Sequence, residues 1–271
     1  MTKTNADFFT LVALSALSFT LAIALHEHGG HALACLSLGG HVAELGAFYI
    51  VCDPASLTGV SNRLVALAGP LASFLAGIVG LLLGGQTPRT NIALKYFFWL
   101  FGTMNLMIAA GYLLFSGVTG IGDFGLDAFG VFYQAQPAWL YRVGLTILGL
   151  AGYLAVILLS LRQMDAFIGG SGVERVNRAQ WLSLTSYLTG GVVALLIGLL
   201  NPHGLVIVLI SSVASSMGGT SGLAWMMQLL DRKKAMSEPP LVMERRWGWI
   251  AASLVIVLVY AIILGPTRYF S

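Results

Sequence analysis

The sequence predicts an all-α polytopic membrane protein, and three observations carry that prediction. The 271-residue chain is 57% hydrophobic and only 9% charged, where soluble domains carry about 25% charged side chains. Its mean hydropathy is +0.85. Its apolar residues gather into seven runs, 8–25, 64–84, 93–115, 139–161, 181–200, 205–230 and 249–264, each near the length at which a helix crosses the hydrocarbon core.

The first run follows a short polar N-terminus with no charged n-region and no small-residue cleavage site, so it reads as a retained span rather than a signal peptide. It continues into His26-Glu27-His28-Gly29-Gly30-His31. Residues 39–51 are β-prone and lie between glycines and Asp53-Pro54. They predict a short hairpin or re-entrant loop packed against protein, because an open strand edge cannot face lipid. In the second span, Ala72, Ala76, Gly80 and Gly84 form a small-residue stripe suited to close approach of another helix, here expected to be the motif helix. Asn105 in the third span is a buried amide needing partners.

After the third span, Ser116 to Asp123 is rich in glycine and can turn the chain back toward the bundle. The polar stretches 162–180 and 231–246 read as cytoplasmic linkers. In the sixth span, Ser211, Ser215 and Gly219, flanked by Ser212, Ser216 and Thr220, form a second packing stripe. We divide the chain into a three-helix core at 1–137 and a four-helix accessory membrane module at 138–271. Cys35 and Cys52 read as packing residues, being too few for a disulfide framework. His41 and His203 read as loop and turn residues.

Eleven of the fourteen basic residues fall in the N-terminus and the second, fourth and sixth loops. By the positive-inside bias these face the cytoplasm, which places the C-terminus and the loop around Asp123 on the other side. The net charge of +3 reflects this topology and points to a lipid bilayer, not to nucleic acid.

The chemistry concentrates in the motif, for four of the five histidines fall between His26 and His41. Ionisable groups at membrane depth are usually functional, and imidazoles with carboxylates are the donors zinc prefers. The usual helical pair is four residues apart, whereas His26 and His31 are five apart and would diverge by about 140° on a regular helix. A π-turn over the compliant Gly29-Gly30 absorbs the extra residue. It would bring His26 and His31 together as metal ligands, with Glu27 as general base. Without it, His31 would pair with Glu27 or His28. A third ligand is needed: Asp123 is the first choice, with Asp127, four residues on, as its alternate.

These residues resemble the site-2 protease family of intramembrane zinc metalloproteases. The shared features are His-Glu-x-x-x-His in the first span, Ala68-Gly69-Pro70-Leu71-Ala72-Ser73 in the second and an aspartate after the third. The resemblance covers residues 10 to 128. It implies zinc-dependent hydrolysis of a membrane-associated peptide or protein, with His26, His31 and Asp123 on the metal and Glu27 as the base. Three positions depart from the family pattern: the motif holds an extra residue, Ser73 stands where the family has asparagine, and neither aspartate lies in Leu-Asp-Gly. Two other functions use the same residues, a catalytically inactive metal-binding regulator and a transporter of metal ions or protons.

Overall fold

The structure is a computed structural model that describes residues 6–202, 204, 217–231 and 239–270. Among these residues six helices are long and apolar enough to cross a membrane, so the chain is an all-α multi-pass membrane protein. The first span joins α1 (Phe8–Ala24), a π-helix (Leu25–Ala32) and α2 (Leu33–Ser37). A hairpin of β1 (Val42–Leu45) and β2 (Ile50–Cys52) follows, then α3 (Gly59–Gln86), α4 (Ile92–Thr119), α5 (Ala138–Ile168) and α6 (Gly172–Gly198). The last elements are the short α7 (Gly222–Trp225) with a 3-10 turn, α8 (Trp247–Leu264) and β3 (Arg268–Tyr269).

Local chemistry fixes the boundaries of these helices. Asp7 caps α1 by accepting from Thr10 N at 3.0 Å, Thr58 caps α3 through Ser61 N at 3.2 Å, and Asn91 caps α4. Such caps satisfy amides that a helix start leaves open. Gly120, at φ +84°, ends α4 in the left-handed conformation that suits glycine. Lys95 is buried and donates to the carbonyls of Gly84 and Thr87, closing the end of α3.

Several expectations change. Of the expected span 205–230, residues 205–216 lie outside the described residues, and so do His203, Ser211, Ser212, Ser215 and Ser216. The described remainder is a four-residue α-helix passing into a 3-10 turn, Met226–Leu229. The glycines of the second-span stripe pack on α4, not on the motif helix: a Cβ on Gly80 would meet Gly102, and one on Gly84 would approach Trp99. The short 87–91 connection makes α3 and α4 antiparallel neighbours, so the closest contact falls between them. The 162–180 stretch is no solvated linker. α5 and α6 run through most of it, and buried Arg175 pairs with Asp165 while donating to Asp231 O at 2.9 Å.

Cys35 and Cys52 form a disulfide, which corrects their reading as packing residues. The end of α2 and the return strand β2 bring them within bonding distance, a proximity that spacing alone does not reveal. The bond ties the hairpin to the motif helix, and the hairpin turn itself sinks inward, leaving Ala47 and Phe48 1% and 5% exposed.

Contacts among loops define two ends of the bundle. At one end Asp7 meets Met243 and Arg245, Leu241 bonds to Phe167, and Arg89 reaches Pro239. At the other, Arg63 reaches Tyr133, Asn201 bonds to Thr267, and Phe270 pairs with Ala43 beside the hairpin.

Candidate metal centre

The backbone around the motif is a π-helix from Leu25 to Ala32, the deformation that five-residue histidine spacing requires. One residue more per turn rotates His31 onto the face of His26, and their Nε2 atoms lie 3.3 Å apart. Glycine permits the packing as well as the bulge. A Cβ on Gly30 would collide with the backbone of Gly69, and a Cβ on Gly69 would collide with the His31 ring. The motif helix and α3 therefore touch backbone to backbone where both imidazoles emerge.

Each imidazole is oriented through its other nitrogen. His31 Nδ1–H donates to the Val65 carbonyl at 2.7 Å, so a neutral His31 carries its lone pair on Nε2. His26 Nδ1 is hydrogen-bonded to Ser73 Oγ at 3.0 Å, and the Tyr112 ring stacks on His26 at 4.7 Å. Partners of this kind fix ring orientation in histidine metal sites. His26 and His31 are 3% and 8% exposed, so both rings are shielded from bulk water.

The third side chain arrives from the loop after α4. Gly120 and Gly122, at φ +84° and +87°, reverse the chain, while Phe124 N donates to Ser116 Oγ and Val131 N to the Asp123 carbonyl. Asp123 Oδ2 then sits 3.1 Å from His26 Nε2 and 3.4 Å from His31 Nε2. Despite this crowding, Oδ2 is buried with no hydrogen bond of acceptable geometry among the described residues. Two ligand atoms on a tetrahedral zinc, each at about 2.0–2.1 Å, lie about 3.3–3.4 Å apart. The separations of 3.1, 3.3 and 3.4 Å match one face of that tetrahedron, so this trio could hold a metal ion.

The alternates point elsewhere. His28 Nε2 donates to the Gly46 carbonyl at 2.9 Å, committing it to the hairpin. Asp127 is not in the trio, and its Oδ1 is buried without a hydrogen-bond partner among the described residues. Burial, reinforced by the charge of Asp123, raises its carboxyl above the ordinary range. For Asp123, burial acts in the same direction, but the facing His31 and His26 outweigh it and hold the carboxyl well below that range.

Glu27, one residue after His26 in the π-helix, is 8% exposed. His41 is an exposed loop residue whose amide donates to Ser56 Oγ. The sequence reading missed the supporting residues Ser73, Val65, Tyr112 and Tyr260. Ser73 was visible only as a departure from asparagine, and a backbone carbonyl such as that of Val65 leaves no sequence signal. Tyr260 lies in the last helix, where nothing in the local sequence connects it to the motif; its hydroxyl donates to the Ala47 carbonyl in the hairpin turn. No protein-family model, no curated protein and no solved structure matches the chain.

Proposed function

We propose that this protein is an intramembrane zinc-dependent peptidase that hydrolyses a membrane-associated peptide or protein, as its resemblance to site-2 proteases implies. The observation carrying this reading is the convergence of His26 Nε2, His31 Nε2 and Asp123 Oδ2 beside the buried Glu27. Two imidazoles and one carboxylate leave a fourth tetrahedral position open, the pattern of catalytic rather than structural zinc. Zinc, when bound, supplies a Lewis acid that polarises a peptide carbonyl and acidifies water.

The chain's own groups do the rest. Glu27 accepts a proton from the attacking water and returns it to the leaving amine, the shuttle expected of a general base beside the metal ligands. Val65 and Ser73 hold the imidazoles so that their lone pairs stay aimed at one point. The surrounding apolar helices exclude bulk water, which strengthens every charge interaction in the site. In this reading α1 to α4 form the core and the later helices an accessory module.

Two independent features support the expected orientation. Arg89, Arg175, Arg178, Arg245 and Arg246 belong to the Asp7 end, whereas the hairpin end has Arg63, Arg142 and Arg268, which favours a cytoplasmic Asp7 end. The Cys35–Cys52 bond belongs to the hairpin end, and disulfides persist in oxidising compartments. Both favour a cytoplasmic N-terminus, with the C-terminus and the metal centre toward the opposite face. Seven crossings are supported by the apolar run 205–230 and by the placement of Asn201 and Asp231 at opposite ends.

The test is Glu27→Gln, which keeps size and removes the base. Purified protein should retain its metal and lose hydrolysis of a membrane peptide substrate by at least 100-fold. Full activity in the variant would reject the peptidase assignment. Metal-dependent uptake into liposomes without hydrolysis would instead assign a transporter.

A further inference from the structure

α4, α5 and the segment leading into α7 border a cavity of about 390 Å³, within the size range of small-ligand sites. The metal centre adjoins it at two points. Tyr112, whose ring stacks on His26 with centroids 4.7 Å apart, is also a wall of the cavity. Phe115, a second wall residue, packs against the turn that delivers Asp123, where a Cβ on Gly122 would meet its ring at 3.2 Å. The cavity thus begins one ring away from a candidate metal ligand.

The lining selects what can enter. The Tyr153 hydroxyl donates to the Gly219 carbonyl and accepts from Gly222 N, each at 2.8 Å. The Thr119 hydroxyl likewise donates to the Phe115 carbonyl at 2.8 Å and accepts from Ile121 N at 3.3 Å. Both are engaged as donor and acceptor, so a polar guest would give up its water bonds without replacing them at either hydroxyl. The remaining wall residues are chiefly apolar or glycine. An apolar cavity of about 150 Å³ takes up benzene, so this one has room for an aromatic ring or a branched aliphatic group.

We propose that this cavity is a specificity pocket for a large apolar side chain, aromatic or branched aliphatic, on a substrate residue flanking the scissile bond. Its shared walls with His26 and with the Asp123 turn set the guest beside the reacting carbonyl. The inference rests on the peptidase reading and adds to it the class of residue at which the substrate is cut. Tyr112 then has two tasks, orienting His26 on one side and receiving the guest on the other.

The experiment reads binding, not hydrolysis. Calorimetry on purified, zinc-loaded protein compares the hydroxamates of glycine, serine and phenylalanine, which share one metal-binding group and differ only in side chain. The phenylalanine compound should bind roughly tenfold or more tightly than the other two, because its ring leaves water for the cavity. Gly218 lines the cavity, and a Cβ there meets nothing within 4 Å, so Gly218→Phe can fill the space. In that variant the preference should vanish while glycine hydroxamate binds as it does to wild type; Gly218→Leu decides if the larger residue prevents folding. Equal affinity of all three compounds for wild type, or a preference that survives in the folded Gly218 variants, overturns the proposal. Binding of none of them removes the metal centre and the pocket together. A preference for phenylalanine without any peptide hydrolysis keeps the pocket and counts against the peptidase reading only.

Discussion

Replacing Gly69 by alanine adds one methyl group at the point where α3 touches the motif helix. The new Cβ would lie 2.7 Å from His31 Cδ2 and closer still to Nε2, whereas carbon atoms pack at about 3.5–4.0 Å. The ring must retreat by roughly 1 Å, far beyond the tolerance of about 0.2 Å in a metal–ligand bond. Its retreat is opposed by the Nδ1 bond to Val65 on α3 itself, so either that bond or the ligand geometry is lost. We expect metal affinity to fall at least 10- to 100-fold, as when a supporting partner is removed, or about 1.4–2.7 kcal/mol. Competition with a chromophoric chelator measures it directly. Gly59→Ala is the control, because a Cβ there meets nothing within 4 Å. Wild-type metal affinity in folded Gly69→Ala would refute the packing argument and the role of His31 with it.

Two further predictions test the neighbours of this contact. Asp123→Asn should strip most of the metal while Asp127→Asn leaves it, because only Asp123 places an oxygen against both imidazoles; the reverse pattern in elemental analysis would move the third ligand to Asp127. Cys35→Ser should lower stability by about 3 kcal/mol for a bond spanning 17 residues and should expose Cys52 to an impermeant maleimide added outside intact cells. Labelling only after the membrane is opened would invert the assigned orientation.

The spans were legible because lipid enforces uninterrupted apolar runs, and α3 and α4 extend those runs outward to the capping residues Thr58 and Asn91. The π-helix was legible for a stronger reason: the His26 to His31 spacing has no regular helical solution, and Gly29-Gly30 supplies the flexibility for an irregular one. Asp123 was accessible as a candidate because glycines around it permit a chain reversal. What was hidden depends on contacts between distant segments. The partner of the glycine stripe, the meeting of Cys35 with Cys52, the burial of Arg175 against Asp165 and the reach of Tyr260 to the hairpin are each set by how helices dock. Local pattern carries no record of docking.

The central claim is that His26, His31 and Asp123 hold a metal ion, and elemental analysis of the purified protein tests it most directly. Wild type should carry about one zinc per chain, as expected for a single site with two histidines and a carboxylate. His31→Ala, compared at equal purity and with the fold checked by circular dichroism, should carry little. Wild-type protein devoid of transition metal even after equilibration with zinc, or folded His31→Ala with undiminished zinc, would contradict the account.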